Sequence, residues 1–334
     1  MPSRSKPLAP LDVTECGTLD QILEAMANTS LGARRLGHAW QILKTVMDDP
    51  ECRLVLTMSG AMSIAKLSRT LGRLITERIV HAVVATGAVV THSIVEECGM
   101  SHFAYDGILS DQDLYARRLN RIYDSIEPEE NLLRLEALVL RACDSLRSDH
   151  AYASTEIIAH IAHIADLSHD VGLISSAVHH GVPLFVPALT DSEIGLCVYK
   201  FQQHEQRAHP LYDPSRDLQL YAEWLKGSTR VAVLSIGGGA PRNWAQQMIA
   251  YLRSETSDGD EVGRLIEPLV AGIRICPDNE HLGHLSGSTF AEAVSWGKIQ
   301  GGKTERFAEI YCDATVVLPF LLKAAIDYKR GASR

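Results

Sequence analysis

One lysine in the C-terminal part of the sequence is a candidate nucleophile. Lys298 follows a short helical pattern in which Glu292 and Trp296 are four residues apart and share a helical face. Packing against tryptophan removes water from a lysine amine, and this desolvation favours the neutral form that a nucleophile needs. On residue types alone, a surface lysine whose stem covers an aromatic ring is the commoner arrangement. The segment therefore permits amine chemistry without requiring it.

Turns of small residues follow several apolar segments. Gly237–Gly239 lets a backbone come close to a phosphate group, although it is not the G-x-G-x-x-G fingerprint and a simple tight turn is the commoner explanation. Three more turns of this kind are Ser59–Ser63, Thr86–Ala88 and Thr190–Ser192. Ligands of open α/β sheets bind beyond the carboxyl ends of the strands, so we expect these turns to form one shared site.

Two aspartates also follow apolar segments. Asp191 and Asp313 are in positions where a carboxylate can accept hydrogen bonds from ribose hydroxyls. A lone aspartate at such a position more often caps the following helix. Together with the glycine turns, the two acids predict a nucleotide site.

The elements that must position these residues indicate an α/β fold. The short apolar runs are residues 53–58, 80–85, 183–189 and 230–236. Apolar strands that alternate with helical patterns predict a doubly wound, mostly parallel sheet, in which the turns form the nucleotide site. A helical extension begins near Leu19, and a mostly helical insert covers about 131–180. We expect a loose tail over 1–15 and a single α/β domain over 16–330.

Composition excludes some classes of partner. The 334 residues carry a formal net charge of −9 without a basic stripe, which argues against nucleic acid. The apolar runs are too short to span a bilayer, and the first residues lack a signal-peptide core, so we expect a cytoplasmic protein without membrane contact. The seven scattered cysteines fit reduced thiols.

A histidine-rich segment offers an alternative chemistry. His160, His163 and Asp166 have the spacing of one helical face, with His169 and Asp170 nearby, and such residues can share a metal ion. Solvated helix histidines explain the pattern better. We therefore predict no metal site.

The run Glu292–Ile299 resembles the active-site signature of the deoxyhypusine synthases. Further segments match that family in order: Pro187–Asp191, Gly237–Gly239, Tyr311–Ala314 and Val317–Pro319. The resemblance covers most of the chain, from about Leu19 to Asp327. It implies that the nucleotide site is a Rossmann-like NAD site and that 16–330 is a single NAD-binding α/β domain. Several ordered matches are more specific than any single motif.

The resemblance implies a reaction and its residues. In that family, NAD oxidises spermidine, a lysine captures the imine, and the aminobutyl group passes to an acceptor amine before NADH reduces the product. Lys298 would be that lysine, with Trp296 and Glu292 lining the amine channel. The positions that match NAD contacts are Ser59, Gly60, Ala61, Ser63, Thr86, Gly87, Ala88, Asp191, Gly238, Ser286, Asp313 and Ala314. Family members are homotetramers with shared sites, so a homotetramer is implied.

The sequence departs from the family at the polyamine-binding positions. Thr91 and His92 replace a pair of acids, Leu196 and Leu285 replace two more, and Asn243 replaces a catalytically important histidine. A buried ammonium needs a carboxylate partner, so the full spermidine site is not intact. His92 and His284 are candidates for the altered pocket, as neutral hydrogen-bond partners or as proton carriers.

Several functions fit this pattern. The acceptor of the transferred group could be a translation-factor lysine or a small diamine such as putrescine, which would give homospermidine; agmatine, or an amine without a cationic far end, also fits. A different class is a non-catalytic NAD-binding homotetramer, against which the retained Glu292, Trp296 and Lys298 argue. A third is an amine dehydrogenase that releases the aldehyde and accumulates NADH.

Overall fold

The computed structural model of the protein describes residues 7–167, 172–205, 211–254 and 266–331. The fold is α/β with a mostly parallel six-stranded sheet. The chain divides into unit 1, which comprises Met1–Thr57 and Ala222–Arg334, and unit 2, which comprises Met58–Tyr221. This division does not test the prediction of one NAD-binding domain over 16–330, which stays a prediction.

The strands and helices alternate along much of the chain. The strands are β1 (Cys52–Met58), β2 (Ala82–Ala85), β3 (Phe103–Ala104), β4 (Leu119–Ile122), β5 (Ser125–Pro128), β6 (Leu184–Phe185), β7 (Arg230–Ile236), β8 (Ala271–Ile275) and β9 (Phe307–Ile310). The α-helices are α1 (Leu19–Ala27), α2 (Leu31–Asp48), α3 (Ser68–Thr76), α4 (Gly87–Glu97), α5 (Asp111–Ala116), α6 (Glu129–Asp144), α7 (Ser154–Ile164), α8 (Leu173–His179), α9 (Glu193–Glu205), α10 (Pro214–Lys226), α11 (Gly239–Ser254), α12 (Phe290–Ser295) and α13 (Ala314–Lys329).

Unit 1 contains β1, β7, β8 and β9, which are neighbours in that order. The last three are parallel, with Leu234 opposite Ile273 and Ile273 opposite Ala308. β7 and β8 are buried almost throughout, which is typical of parallel strands covered on both faces. Helix α2 packs on β8 and β9, and its Trp40 is fully buried and donates to Asp20 Oδ1 at 2.7 Å. A dense core therefore supports the loops that follow these strands.

Unit 2 contains β2 and β6, which pair in parallel with Val83 opposite Leu184. Helix α4 begins two residues after β2, and most of its residues are buried, including polar ones. A separate antiparallel sheet has the order β3-β5-β4, with Phe103 opposite Ile126. Parallel pairing thus brings the turns after β2 and β6 to the same edge.

The predicted fold class is confirmed, and each of the four apolar runs contains a strand. The run 183–189 forms only the two-residue strand β6, because Pro187 has no N–H for a longer ladder. The helical insert is present as α6, α7 and α8. The small antiparallel sheet was missed, since its short strands lack a long apolar run.

Among the described residues, no helix has the length and apolar character needed to cross a bilayer. The predicted tail contains a short 3₁₀ helix, Val13–Glu15, and Ala9 N donates to Asn28 O at 3.0 Å. The described part of the tail is therefore connected to the helix that follows it.

Candidate active site

Lys298 lies just beyond a short capped helix in unit 1. Thr289 Oγ1 accepts a hydrogen bond from Glu292 N at 3.2 Å and so caps the start of α12. Gly297 has φ of +66°, the left-handed conformation that glycine adopts readily at a helix end. Lys298 N then donates to Ala293 O at 3.1 Å. The glycine between the tryptophan and the lysine thus reverses the chain and sets the position of the lysine.

The Lys298 side chain is buried and its amine has a neutral partner. The residue is 8% exposed, and Nζ donates to Asn243 Oδ1 at 2.9 Å. Nζ also lies 5.6 Å from the centre of the Trp296 ring. Burial lowers the pKa of Lys298, the positive charge of Arg242 lowers it further, and Glu292 opposes the shift. The fraction of neutral amine is therefore larger than for a solvated lysine.

These side chains line one cavity of about 290 Å³. Its lining is Arg242, Asn243, Gln246, Gln247, Leu285, Ser288, Glu292, Ala293, Trp296 and Lys298. The structure therefore brings together four of the five predicted catalytic and substrate-binding residues of unit 1, namely Lys298, Trp296, Glu292 and Asn243. The fifth, His284, is not among the lining residues; its exposed ring lies with Nδ1 3.6 Å from Asp278 Oδ2.

Arg242 is a cavity residue that the sequence interpretation missed. It is 4% exposed, and its Nη2 donates to Ser288 O at 2.7 Å and to Leu285 O at 3.3 Å. Burial lowers the pKa of Arg242 to about 10, so the guanidinium stays charged at neutral pH. Its position beside Asn243 in the sequence was the available signal. Only the fold identifies it as the cation that acts on Lys298.

Two of the predicted cofactor residues of unit 1 lie against each other. A Cβ atom on Gly238 would lie 2.5 Å from Ser286 Cα, so only glycine fits there. Ser286 Oγ donates to Asp278, and Ser286 O accepts from the buried Arg274 at 2.7 Å and 3.0 Å. The loop that carries Ser286 is therefore firmly held against the glycine turn.

Asp313 and Ala314 lie at the start of α13. Asp313 Oδ1 accepts hydrogen bonds from the backbone N and from the hydroxyl of Thr315, each at 2.7 Å. Asp313 thus caps the helix, as the commoner interpretation of a lone aspartate predicts. Its second carboxylate oxygen has capacity for another donor. The predicted ribose contact stays a prediction.

The predicted cofactor residues of unit 2 lie in three turns that contact one another. Thr86 Oγ1 donates to Gly60 O at 2.7 Å, which joins the first two turns. A Cβ atom on Gly87 would lie 2.2 Å from Ser192 Cβ, which joins the second turn to the third. Ser192, rather than Asp191, caps α9 by accepting from Gly195 N at 3.1 Å. These contacts bring together the three turns that contain Gly60, Ala61, Ser63, Thr86, Gly87, Ala88 and Asp191, with Ser59 directly before Gly60.

His92 is buried in α4 and contacts an acid that the sequence interpretation missed. Its Nδ1 is 2.9 Å from Oε2 of the buried Glu127. Burial raises the pKa of Glu127, but the close contacts with His102, His92 and Asn131 outweigh it and lower the pKa to about 2. Glu127 is therefore an ionised carboxylate. A substrate role for His92 stays a prediction.

The other positions at which the resemblance implies polyamine contacts differ in exposure. Thr91 is fully buried, Leu196 is 62% exposed, and Leu285 is half exposed and lines the Lys298 cavity. Leu285 gives that cavity an apolar wall segment. The cavity therefore has Glu292 as its carboxylate.

The histidine segment of α7 does not form a ligand cluster among the described residues. The rings of His160 and His163 are 6.5 Å apart, and His160 Nε2 shares a hydrogen bond with Ser145 Oγ at 2.7 Å. The predicted neighbours His169 and Asp170 lie outside the described residues.

Comparison with known proteins identifies relatives over nearly the full length. A family model described as deoxyhypusine synthase matches residues 21–325. "Probable deoxyhypusine synthase 2" of Methanosarcina mazei is 29% identical, over 98% of this chain and 92% of that protein. "Deoxyhypusine synthase-like protein" of Coxiella burnetii is 30% identical, over 93% of this chain and 86% of that protein. A solved structure of a candidate deoxyhypusine synthase from Entamoeba histolytica shares the fold, with a TM-score of 0.58 at 14% identity over 96% of both chains.

Proposed function

The chain belongs to the deoxyhypusine synthase family, and from this premise we propose that it is an NAD-dependent aminoalkyl transferase acting on a polyamine or related amine. Family membership supports aminobutyl transfer in general. The finer proposal is that transfer proceeds through an imine on Lys298. The buried amine of Lys298 is the observation that carries this proposal.

Two features of the Lys298 environment suit a nucleophile. The amine donates to an uncharged amide oxygen, Asn243 Oδ1, so no ion pair with Asn243 holds its proton. The nearby guanidinium of Arg242 disfavours a second positive charge, and burial acts in the same direction. A lysine with a lowered pKa presents the lone pair that attacks an imine carbon.

The proposed reaction balances without net oxidation. The donor amine loses a hydride and a proton and becomes an imine. Lys298 Nζ attacks the imine carbon, the small amine leaves, and an imine with the enzyme remains. The acceptor amine then displaces Lys298, and return of the hydride together with a proton gives the product amine. Glu292 is proposed to pair with a substrate ammonium, and Trp296 to cover it.

NAD supplies the hydride acceptor in this scheme, and two places in the fold suit its binding. Only glycine fits at positions 87 and 238, because a Cβ atom there would meet Ser192 or Ser286. Neither turn therefore has a side chain at these positions that could block a ligand. Gly87 opens α4 and Gly239 opens α11, and helix N-termini favour phosphate groups. Asp191 and Asp313 are the proposed ribose partners.

The leucine at position 285, where the family has an acid, bears on which amine accepts the transferred group. Leu285 gives the Lys298 cavity an apolar wall segment, and this supports an amine with fewer cationic groups than spermidine on that side. We infer that a small diamine, or agmatine, is a better candidate than a translation-factor lysine. A homotetramer is part of the same proposal.

Trapping of the enzyme imine tests the function. The purified protein is incubated with NAD and, in turn, spermidine, putrescine or agmatine, reduced with borohydride and examined by mass spectrometry. We expect an adduct on Lys298 that needs both NAD and amine and whose mass identifies the transferred group. Lys298→Arg should abolish the adduct, whereas Lys329→Arg, at an exposed lysine, should leave it unchanged.

Other outcomes would identify the alternatives. Tight NAD binding with no adduct from any amine would sink the transferase proposal in favour of a non-catalytic NAD-binding assembly. Accumulation of NADH in excess over enzyme would instead indicate an amine dehydrogenase that releases the aldehyde. Neither pattern is expected of a transferase, because its NADH is consumed in each cycle.

A further inference from the structure

Three side chains with metal-ligating atoms meet in the interior of unit 2. His92 comes from α4, His102 from the residue before β3, and Glu127 from β5. Their ligand atoms all lie within 4.8 Å of one another. Each side chain is at least nine-tenths buried. We propose that these residues form a binding site for a divalent transition-metal ion.

The two imidazoles compete for one carboxylate oxygen. His92 Nδ1 is 2.9 Å and His102 Nε2 is 2.5 Å from the same atom, Glu127 Oε2. Despite this short distance, His102 Nε2 is buried without a well-aligned hydrogen bond among the described residues. A buried polar atom without such a bond is costly. An ion between the three groups would give every one of these atoms a partner.

The opposite side of the carboxylate is already held. Asn131 Nδ2 donates to Glu127 Oε1 at 2.6 Å and to Ser101 O at 3.0 Å. This arrangement fixes the carboxylate plane and directs Oε2 towards the histidines. Outer hydrogen bonds of this kind orient the ligands of known metal sites.

The donor set selects the class of ion. Two imidazoles and one carboxylate suit Zn²⁺, Mn²⁺ or Fe²⁺, whereas Mg²⁺ and Ca²⁺ prefer oxygen ligands. Three protein ligands leave at least one coordination position for water or another small ligand. The site is therefore of the open kind rather than a closed structural one.

Lys66 competes with a metal ion for His102. Its Nζ lies 2.8 Å from His102 Nδ1 and 3.0 Å from Glu96 Oε2. An ammonium there donates to Nδ1, which leaves the ring proton on Nε2, the atom that a metal would need. The Lys66 side chain is about half exposed and can turn towards solvent. Metal loading must displace Lys66 from the ring.

Metal titration of the full chain tests the site without any activity assay. Protein stripped with a chelator is titrated with Co²⁺ and then with Zn²⁺. We expect about one Co²⁺ per chain, with the visible absorption of low coordination number, and its displacement by Zn²⁺. Metal content after dialysis, measured by mass spectrometry of the elements, should give the same stoichiometry.

Variants distinguish this cluster from other ligands. His102→Ala should weaken Co²⁺ binding about tenfold or more. Lys66→Met should strengthen it, because the competing ammonium is gone. His160→Ala and His163→Ala, in the histidine segment of α7, are the matched controls and should leave binding unchanged.

Two results would overturn the proposal. One is Co²⁺ or Zn²⁺ binding that is unchanged by both His102→Ala and Lys66→Met. The other is the absence of stoichiometric binding to the folded parent protein and to Lys66→Met alike, which would leave Glu127 as a hydrogen-bonded carboxylate only. Because Lys66→Met changes an exposed side chain, loss of folding does not obscure its result.

Discussion

Lys298 in unit 1 and Glu127 in unit 2 are both buried ionisable groups. The surroundings of Lys298 disfavour its charged form, whereas those of Glu127 favour the charged form. Burial disfavours the charge of Lys298, and the nearby guanidinium of Arg242 acts in the same direction. Its hydrogen-bond partner, the amide of Asn243, carries no charge that would offset them. Glu127 is contacted by His92, His102 and Asn131, so its charge is kept despite deeper burial. The number and sign of the partners, rather than burial, decide which form a buried group takes.

The environment of Lys298 favours a reactive amine, whereas that of Glu127 favours a carboxylate with a structural or ligand-binding role. An amine with a lowered pKa has a larger fraction of the neutral form, which can attack a carbon atom. A carboxylate that already accepts several hydrogen bonds is a poor base and a good anchor or metal ligand. Substitutions of the two groups should therefore affect different measured properties.

The largest expected effect is on stability, from Glu127→Ala. This change removes the carboxylate that faces two buried imidazoles and accepts a hydrogen bond from Asn131, and we expect the free energy of unfolding to fall by about 3 kcal/mol. Urea unfolding at pH 7, with a chelator present, measures it. Because the folded-state pKa of Glu127 is lowered to about 2, its stabilisation is present above its unfolded pKa and lost as the pH falls towards 2.

The matched control for Glu127 is Glu130→Ala, at an exposed acid of α6, which should change the free energy of unfolding little. Equal effects of the two substitutions would contradict the comparison, because Glu127 would then contribute no more than a solvated carboxylate.

Lys298→Met should raise the free energy of unfolding, the opposite of the effect expected for Glu127→Ala. Methionine keeps the length and apolar character of the stem but removes a buried charge, so we expect stabilisation on the order of 1 kcal/mol near neutral pH. The folded-state pKa of Lys298 is below its unfolded value, so the gain is full below the folded pKa and shrinks as the pH rises towards the unfolded pKa. Urea unfolding over a pH series measures it.

Lys329→Met, at an exposed lysine near the end of α13, is the control for that series and should show no such trend. A destabilised Lys298→Met variant would mean that the hydrogen bond to Asn243 outweighs the cost of burying the amine.

Sequence reasoning found the lysine site more easily than the carboxylate cluster for a physical reason. Glu292, Trp296 and Lys298 are local in sequence, so helical spacing alone predicts that they meet. Glu127 and His92 are brought together by the fold, and no spacing rule links them. The small antiparallel sheet that carries Glu127 also gives little sequence signal, since its strands are short and partly exposed.

The parallel core was predictable because its strands are continuous apolar runs. The charge environment of Lys298 was not predictable, since Arg242 lines the same cavity from helix α11, far from Lys298 in the sequence. The glycine turns were predicted from the sequence of small residues after apolar runs. That Gly87 packs against Ser192 and Gly238 against Ser286 is visible only in the fold.

Arg242→Gln should move the pH dependence of transfer. Loss of the guanidinium raises the pKa of Lys298, so the pH at which the neutral amine forms moves upward. We expect a several-fold loss of kcat/KM at pH 7 that is recovered at higher pH, because only the protonation state has changed. Arg242→Lys keeps the charge and is the control. A loss that is equal at all pH values would mean that Arg242 acts by holding the Ser288 loop instead.

The smallest expected effect is that of Trp296→Phe. The indole is 61% exposed and lies 5.6 Å from Lys298 Nζ, so it can act on the lysine or on the substrate ammonium. We expect the second role: contact between an aromatic face and a cation at an exposed site contributes about 0.5–1 kcal/mol, which corresponds to a rise in KM of about two- to fivefold when it is lost. Phenylalanine keeps part of it, so the change should lie at the lower end, with kcat unchanged.

Steady-state kinetics with the amine identified by trapping would measure this effect, with Trp296→Ala as the larger change at the same position. A fall in kcat with KM constant would move the role of the ring to Lys298 itself, since only an effect on the nucleophile would leave substrate binding unaltered. In that case desolvation by Trp296, and not only the charge of Arg242, would set the protonation of the lysine, and the contrast with Glu127 would rest on exclusion of water as much as on the choice of partners.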